Sequence, residues 1–310
     1  MILQNDFVIN APAYLSPSYR ISPFRTTDIC KNKNIGKVNN TYPEEYLLSR
    51  FLGKKALITD NGRSALGTSL SMLELNRDDV VTIFTTTNNF YISGCVTSEI
   101  EKYCQWSRKI ESNTKAILVN HEFGFSSQKM KEYASLGFPI IEDFAHSFIS
   151  DSENGDAGYY ADFLIFSFSK YFPIQIGGAL LYNQNYQIPF YEKKYINSYI
   201  SNVISNHIES ISNIKLKRLK NYNYYTKLFS KIDLAPYFIM YKNDCPGVFC
   251  FEVPKEIDLV KMKIFINSNG IESSIFYGEN AYFLPCHQNL EECDIEYIYN
   301  VVKYFLEANL

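Results

Sequence analysis

Residues 139–181 read PIIEDFAHSFISDSENGDAGYYADFLIFSFSKYFPIQIGGALL, and they decide how the rest of the chain is interpreted. Together with Phe138 they contain two short apolar runs, residues 138–141 and 163–168, each about as long as a buried strand. Polar side chains that could face a cleft follow both runs: Glu142, Asp143 and His146 after the first, and Ser167, Ser169 and Lys170 at the second. Gly177 and Gly178 then permit a tight turn into a further apolar run.

An acidic residue at one strand end and a lysine at the next suggest a specific cofactor chemistry. Pyridoxal phosphate needs a lysine amine for its Schiff base and a carboxylate against the nitrogen of its pyridine ring. Asp143 and Lys170 have the residue types and the local context for these two tasks. A single aspartate or lysine is most often only a solvated surface residue, so this interpretation needs support from other parts of the chain.

The order and spacing of these motifs resemble the core of the DegT/StrS-type sugar aminotransferases, which are pyridoxal-phosphate enzymes of fold type I. In that family the aspartate lies in an E-D-x-A-[QH] motif, matched here by residues 142–146 (EDFAH). The family's lysine follows an F-S-F strand and precedes a Gly-Gly turn, matched by residues 166–170 (FSFSK) and 177–178. The resemblance covers nearly the whole chain, at low identity outside the motifs.

The resemblance implies a role for each of these side chains. Lys170 would be the catalytic residue that binds the cofactor covalently and later moves a proton. Asp143 would keep the ring nitrogen protonated, and Ser167 would reach the phosphate. His146, which stands where the family usually has glutamine, would lie beside the phenolic oxygen of the ring.

A second motif predicts an anion site. A short strand over residues 55–59 is followed by NGRSA (residues 61–65) and a helix, and the N-terminus of a helix offers free backbone N–H groups. The family has S-G-T-A-A here, so the resemblance implies that Gly62, Arg63 and Ser64 hold the cofactor phosphate. Arg63 departs from the usual small Thr or Ser: its side chain either pairs with the phosphate or turns away and leaves only its N–H.

The segment over residues 79–87 (DVVTIFTTT) is rich in β-branched residues and predicts a strand. The family's strand ends T-[FW]-x-x-T-x-N, matched here by Phe84, Thr87 and Asn89. Because the family's aromatic residue stacks on the pyridine ring, the resemblance makes Phe84 the stacking candidate. His121, which follows a further strand, is interpreted as a structural rather than a catalytic residue.

Strands and helices alternate along the first part of the chain, and the strands are too apolar to face water. This pattern predicts an α/β fold with a mainly parallel sheet that helices cover on both faces. Ligands of such sheets gather at the carboxyl ends of the strands. We expect a large cofactor-binding domain over residues 1–185, with an irregular arm over residues 1–40, and a small α+β domain over residues 186–310.

After residue 182 the sequence becomes polar and rich in tyrosine, which predicts a linker and interface over residues 183–205. A long helix is predicted over residues 206–232 and two short strands within residues 235–253. The resembled family has a G-[YF]-N-x-R segment here that reaches the cofactor phosphate of the neighbouring subunit, and nothing between residues 183 and 213 reproduces it. Either another residue such as Asn202 or Arg63 substitutes, or cofactor binding is weaker.

The composition argues against several classes of function. A net charge of −3 with mixed signs over 310 residues gives no basic surface for nucleic acid or a membrane. No run of about 18 apolar residues could span a membrane, and no secretory signal is recognisable. The seven cysteines form no C-x-x-C pair, so reduced thiols without a metal site are expected. These features predict a cytoplasmic protein.

The resemblance implies a pyridoxal-phosphate-dependent aminotransferase, most simply a homodimer with a shared active site. Its substrates would be an amino-acid donor, usually L-glutamate, and a nucleotide-linked keto-sugar, and its product would enter a surface polysaccharide such as O-antigen. Two alternatives stay open. One is a pyridoxal-phosphate-dependent sugar dehydratase or lyase, although such family members typically carry histidine in place of Lys170. The other is a catalytically degenerate family member that acts as a partner protein.

Overall fold

The structure is a computed structural model that describes residues 17–35, 42–188 and 195–309. The chain divides into two compact units. The larger unit takes Pro23–Lys215 and Met240–Cys245, and the smaller takes Leu216–Ile239, Pro246–Leu310 and the described residues before Pro23. The boundary between residues 185 and 186 stays a prediction, and residues 1–16 and 36–40 of the predicted arm lie outside the described part.

The larger unit contains a seven-stranded sheet. Its strands are β1 (Lys54–Thr59), β2 (Val80–Thr85), β3 (Gln105–Ser107), β4 (Thr114–Asn120), β5 (Ile140–Asp143), β6 (Phe163–Ser167) and β7 (Gly178–Asn183). Its helices are α1 (Asp28–Lys33), α2 (Pro43–Arg50), α3 (Gly62–Ser71), α4 (Gly94–Ile100), α5 (Met130–Ala134), α6 (Tyr195–Ile208) and the first turn of α7 (Ile211–Phe229). The strand order is β1-β7-β6-β5-β4-β2-β3, and β7 alone runs antiparallel to its neighbours.

The two faces of this sheet carry two separate apolar cores. Along β4, Ala116 and Leu118 pack with residues of α3 and α4, whereas Ile117 and Val119 pack on the opposite face with residues of α2, α5 and α6. Strands covered on both faces are apolar along their whole length, which is the pattern seen in the sequence. The predicted fold, a mainly parallel sheet with helices on both faces, is confirmed.

Helix α6 occupies much of the segment that the sequence predicted as a polar linker over residues 183–205. Ile200, Val203 and Ile204 recur at helical spacing and are fully buried against the sheet. Because many polar and tyrosine residues lie between them, this apolar helix face was not recognised in the sequence. The single helix predicted over residues 206–232 is also wrong in its bounds, because α6 ends at Ile208 and α7 begins at Ile211.

The smaller unit has a three-stranded antiparallel sheet in the order β8-β10-β9. Its strands are β8 (Val248–Glu252), β9 (Ser274–Phe276) and β10 (Ala281–Pro285), and its own helices are α8 (Leu259–Ser268) and α9 (Glu292–Glu307). Of the two strands predicted within residues 235–253, only β8 forms. Pro236 makes an isolated bridge to Phe251 instead, since proline has no N–H to extend a ladder.

In the described residues, no helix combines the length and the apolar character that crossing a membrane requires. The same residues contain no cluster of three or more His, Cys, Asp or Glu side chains that could hold a metal ion. All seven cysteines are free thiols.

Candidate active site

The carboxyl ends of three neighbouring strands bring polar side chains to one edge of the large sheet. β4, β5 and β6 are adjacent and parallel, and they end at Asn120, Asp143 and Ser167. Asn120 is paired with Asp143 in the sheet register, and Asp143 is paired with Ile165, two residues before Ser167. Lys170 follows at the end of the short 3-10 turn Phe168–Lys170. Residues 143, 167 and 170, predicted from separate motifs, therefore all lie at the ends of adjacent strands, on the sheet edge where ligands bind in α/β folds.

The side chain of Asp143 is buried and held at both carboxylate oxygens. The residue is only 6% exposed. The backbone N–H of Ala145 donates to its Oδ1 at 2.8 Å, and Nδ2 of Asn120 donates to its Oδ2 at 3.1 Å. Burial raises the pKa of the Asp143 carboxyl, and these two donors act in the opposite direction. A cationic group placed against such a carboxylate would stabilise its ionised form.

Helix α3 begins directly against the end of β6. A Cβ at Gly62 would lie 3.2 Å from the Cβ of Ser167, so a larger residue would push the helix away from the sheet. Oδ1 of Asn61 accepts the N–H of Ser64 at 2.9 Å and caps the helix. The N–H groups of Gly62 and Arg63 have no acceptor among the described residues. Two such N–H groups at the start of a ten-residue helix attract an anion.

The turn that carries Lys170 is tied to the segment after β5. Tyr171 is fully buried, and its hydroxyl lies 2.9 Å from the carbonyl oxygen of His146 and 3.0 Å from that of Cys245, between which it shares its proton. The link joins the predicted lysine to the segment that continues from Asp143. The lysine turn is thereby fixed relative to the strand ends.

Arg63 and His146 lie on the flanks of this group. Nη2 of Arg63 donates to Sγ of Cys95 at 2.8 Å. This contact corresponds to the alternative in which the side chain of Arg63 turns away and only its N–H faces the anion. His146 is half-buried, and its ring stands edge-on to Phe123 with the centroids 5.4 Å apart.

Phe84, the predicted stacking residue, lies one residue before the end of β2, where Thr85 pairs with Asn120. On β2 it alternates with Ile83, which packs in the core with α3 and α4, so Phe84 faces the opposite side of the sheet. There its ring stacks on Tyr133 of α5, with centroids 4.5 Å and planes 7° apart. Stacking of Phe84 on the cofactor ring stays a prediction.

Behind the same edge, His121 and Glu142 form a fully buried pair with Nε2 2.8 Å from Oε2. The N–H of Ser127 donates to Nδ1 of His121 at 3.1 Å, and the N–H of Gly158 donates to the Glu142 carboxylate. A ring nitrogen that accepts an N–H carries no proton, so the imidazole proton is on Nε2 and points at Glu142. The geometry agrees with a structural role for His121, next to the strand end that carries Asp143.

Asn120 and Tyr171 were not among the site residues predicted from the sequence. Asn120 is the polar residue directly after the apolar strand KAILV, and its strand-end position is a signal that could have identified it. Tyr171 has no such signal, because an aromatic residue after a strand is most often part of the core. Its function as a link depends on which carbonyl groups meet its hydroxyl in the fold.

Comparison with known proteins identifies the family. The model of the DegT/DnrJ/EryC1/StrS aminotransferase family matches residues 26–188, which is more than half of the chain. The chain belongs to this family. The resemblance noted from the motifs is thereby confirmed, and the protein is a pyridoxal-phosphate-dependent aminotransferase. Among curated proteins, comparison of the sequence finds no match.

Solved structures share the fold at low identity. The pyridoxal-phosphate form of Spr1654 from Streptococcus pneumoniae, a putative sugar aminotransferase, is 17% identical with a TM-score of 0.71, over 95% of this chain and 98% of that chain. PseC from Helicobacter pylori, an aminotransferase involved in the biosynthesis of pseudoaminic acid, is 16% identical with a TM-score of 0.70, over 94% and 100%. TlmJ from Streptoalloteichus hindustanus, an aminotransferase, is 14% identical with a TM-score of 0.72, over 86% and 90%.

The residues of this edge suit pyridoxal phosphate in charge and in shape. The cofactor combines an anionic phosphate, a ring nitrogen that carries a proton and an aldehyde that reacts with an amine. The N–H groups of Gly62 and Arg63, which have no acceptor in the described part of the chain, suit the phosphate, and the buried carboxylate of Asp143 suits the protonated ring nitrogen. The amine that such an aldehyde needs is the predicted role of Lys170.

A further buried acid, Glu122, lies just after β4, and its pKa departs from the usual value. It is 3% exposed, and its Oε2 accepts the N–H and the hydroxyl of Thr87 at 2.8 and 2.7 Å. Its Oε1 has no hydrogen-bond partner among the described residues. Burial raises the pKa of Glu122 to about 7, although Thr87 and the charge of Arg108 oppose the rise.

This shift predicts a pH-dependent stability. Because the folded protein holds the Glu122 proton up to about pH 7 and the unfolded chain releases it near 4.5, stability falls as pH rises between these values. Compared with Glu122→Gln, the wild-type protein should lose about 2–3 kcal/mol of unfolding free energy between about pH 5 and about pH 8. Urea unfolding of both cofactor-free proteins measures the difference. Parallel pH curves for the two proteins would contradict this assignment.

Proposed function

We propose that this aminotransferase transfers an amino group from L-glutamate to the keto group of a nucleotide-linked sugar, and that the amino sugar enters a surface glycan such as O-antigen. The observation that supports the proposal is the placement of Asp143 and of the turn with Lys170 after adjacent parallel strands, together with the start of α3, where an added Cβ at Gly62 would touch Ser167. Family membership and the sugar aminotransferases among the structural neighbours support a sugar as the acceptor. Retention of a lysine at position 170 favours amino transfer over dehydration.

We propose a separate role in cofactor binding or proton transfer for each of the side chains at this edge. Pyridoxal phosphate, when bound, supplies an electron sink that stabilises negative charge at the donor's α-carbon. Lys170 would hold the cofactor through Nζ, and the same amine would move the proton at that carbon. Asp143 would keep a proton on the ring nitrogen. The N–H groups of Gly62 and Arg63, with Ser64 and Ser167 beside them, would bind the phosphate.

A homodimer and a cytoplasmic reaction are parts of the same proposal. In the resembled family a neighbouring subunit completes the phosphate site, and the segment expected to do so falls between residues 183 and 213, of which residues 189–194 lie outside the described part. The free cysteines suit a reducing compartment. Light scattering of the purified protein at several concentrations tests the dimer, and a mass of one chain at all of them would contradict it.

Isotope transfer tests the proposed reaction. The protein, loaded with pyridoxal phosphate, is incubated with ¹⁵N-glutamate and a set of nucleoside diphosphate keto-sugars, and the products are analysed by mass spectrometry. We expect ¹⁵N in a sugar product and none when the matching sugar without a keto group is used. Loss of water from the sugar without ¹⁵N would support the dehydratase alternative. Label that stays on glutamate with every keto-sugar would contradict the proposed acceptor.

A further inference from the structure

Asn120 is placed to control the carboxylate of Asp143. It is the last residue of β4, and the sheet register puts it directly beside Asp143 at the end of β5. Its Nδ2 donates to Oδ2 of Asp143 at 3.1 Å. Within the described residues, two groups donate to this carboxylate: the side chain of Asn120 and the backbone N–H of Ala145. Asn120 is therefore the only side-chain donor among them.

The backbone of Asn120 is itself held firmly. It pairs with Thr85 of β2 on one side and with Asp143 of β5 on the other. The N–H of Thr86 also donates to the carbonyl oxygen of Asn120 at 3.2 Å. A side chain that starts from a fixed backbone, and has only two torsion angles, holds its amide in a narrow range of positions. The amide can therefore act as a fixed point for the carboxylate.

The two contacts on Asp143 constrain it in different ways. The contact from Ala145 holds Oδ1 through a backbone group next to the aspartate itself. The contact from Asn120 holds Oδ2 from the neighbouring strand. With both oxygens held, the carboxylate cannot rotate about its Cβ–Cγ bond without breaking a hydrogen bond. In a residue that is only 6% exposed, a broken hydrogen bond is not readily replaced by one to water.

The amide also suits the electrostatics of the site. It donates a hydrogen bond without adding a charge that would compete with a protonated ring nitrogen for the carboxylate. Donors to a carboxylate favour its ionised form, which opposes the effect of burial here. A leucine of similar shape would leave Oδ2 without this donor.

We propose that Asn120 is a positioning residue that holds the Asp143 carboxylate in place for the ring nitrogen of pyridoxal phosphate. The inference rests on the proposed cofactor role of Asp143. Asn120 does not touch the reacting atoms, and its effect passes through the aspartate. Loss of the amide should therefore lower the protonation of the ring nitrogen and weaken the binding of the cofactor, in addition to slowing the reaction.

The test compares Asn120→Leu with a matched control, Asn183→Leu. Asn183 is half-buried at the end of β7 and donates from Nδ2 to Oδ1 of Asp162, also at 3.1 Å. Because β7 is antiparallel to β6, this second pair lies at the opposite edge of the same sheet. A general effect of losing an asparagine–aspartate contact would appear in both variants. An effect of positioning Asp143 would appear only in Asn120→Leu.

Two quantities are measured for each protein. The first is the dissociation constant of pyridoxal phosphate, obtained by absorbance titration. The second is the ¹⁵N chemical shift of the labelled ring nitrogen in the holoenzyme, which shows whether that nitrogen carries a proton. For Asn120→Leu we expect about 10- to 100-fold weaker binding and a shift toward the unprotonated nitrogen, with both values unchanged in Asn183→Leu. If the leucine variant fails to fold, Asn120→Thr replaces it in the test. Threonine suits a strand, and because its hydroxyl stops one atom short of the position of the amide nitrogen, we expect the same two changes.

The possible results separate the two hypotheses. If the wild-type protein shows a protonated ring nitrogen and both Asn120 variants retain it with unchanged affinity, the positioning role is wrong and the cofactor role of Asp143 stands. If the ring nitrogen of the wild-type holoenzyme carries no proton, the role proposed for Asp143 is wrong, and the role of Asn120 falls with it.

Discussion

Lys170→Ala is expected to remove the covalent bond between protein and cofactor and to slow amino transfer by about 10²- to 10⁴-fold or more. Lys170 ends the turn that follows β6, and β6 lies beside the strand that ends at Asp143. No other group in the proposed set can both hold the cofactor and move the proton at the donor's α-carbon. The visible absorbance of the protein after addition of pyridoxal phosphate, and the rate with glutamate, measure the two effects.

Two further variants make this test specific. Lys170→Arg keeps a positive charge but removes the reactive amine, so it should lose the covalent bond as the alanine variant does. Lys115→Ala removes an exposed lysine from β4 in the same unit and should leave the spectrum and the rate unchanged. If Lys170→Ala kept the visible band and the rate of the wild-type protein, Lys170 would not be the catalytic residue.

Gly178→Ala is expected to cost about 3 kcal/mol or more of unfolding free energy and to weaken cofactor binding. A Cβ at this position would lie 2.5 Å from the carbonyl oxygen of Phe166, 2.6 Å from the carbonyl carbon of Asn61 and 2.8 Å from the nitrogen of Gly62. All three are backbone atoms, so no flexible side chain can move aside. The first residue of β7 would have to separate from the start of α3, which carries the proposed phosphate site.

Gly94→Ala is the matched control for this prediction. Gly94 opens helix α4, is exposed, and has no atom within 4 Å of the position of an added Cβ. Alanine favours a helix over glycine, so this variant should be neutral or stabilised by up to about 1 kcal/mol. Chemical denaturation of both variants, with a titration of pyridoxal phosphate, gives the comparison. Equal stability of Gly178→Ala and the wild-type protein would show that the strand and the helix do not approach so closely.

The sequence was most informative where a local pattern and a strand end coincide. The apolar runs before Asp143 and Ser167 gave β5 and β6, and the glycine after Asn61 marked the start of α3. These features depend on a few consecutive residues, so they can be found without knowing which strands are neighbours. The resemblance to the aminotransferase family rested on the same positions.

Features that depend on pairing between distant segments could not be predicted. The contact of Asn120 with Asp143 requires that β4 lie beside β5 in one register, and the contact of Tyr171 with His146 requires the fold of the turn. The face of Phe84 was open to prediction, because alternation with Ile83 places the two side chains on opposite sides of β2.

Locating the covalent bond between protein and cofactor tests whether Lys170 is the catalytic residue. The protein loaded with pyridoxal phosphate is reduced with borohydride, digested, and mapped by mass spectrometry. The structure and the family predict the reduced cofactor on Lys170 and on no other lysine. Attachment at a different lysine, or none in folded protein, would contradict the assignment of the active site to this edge of the sheet.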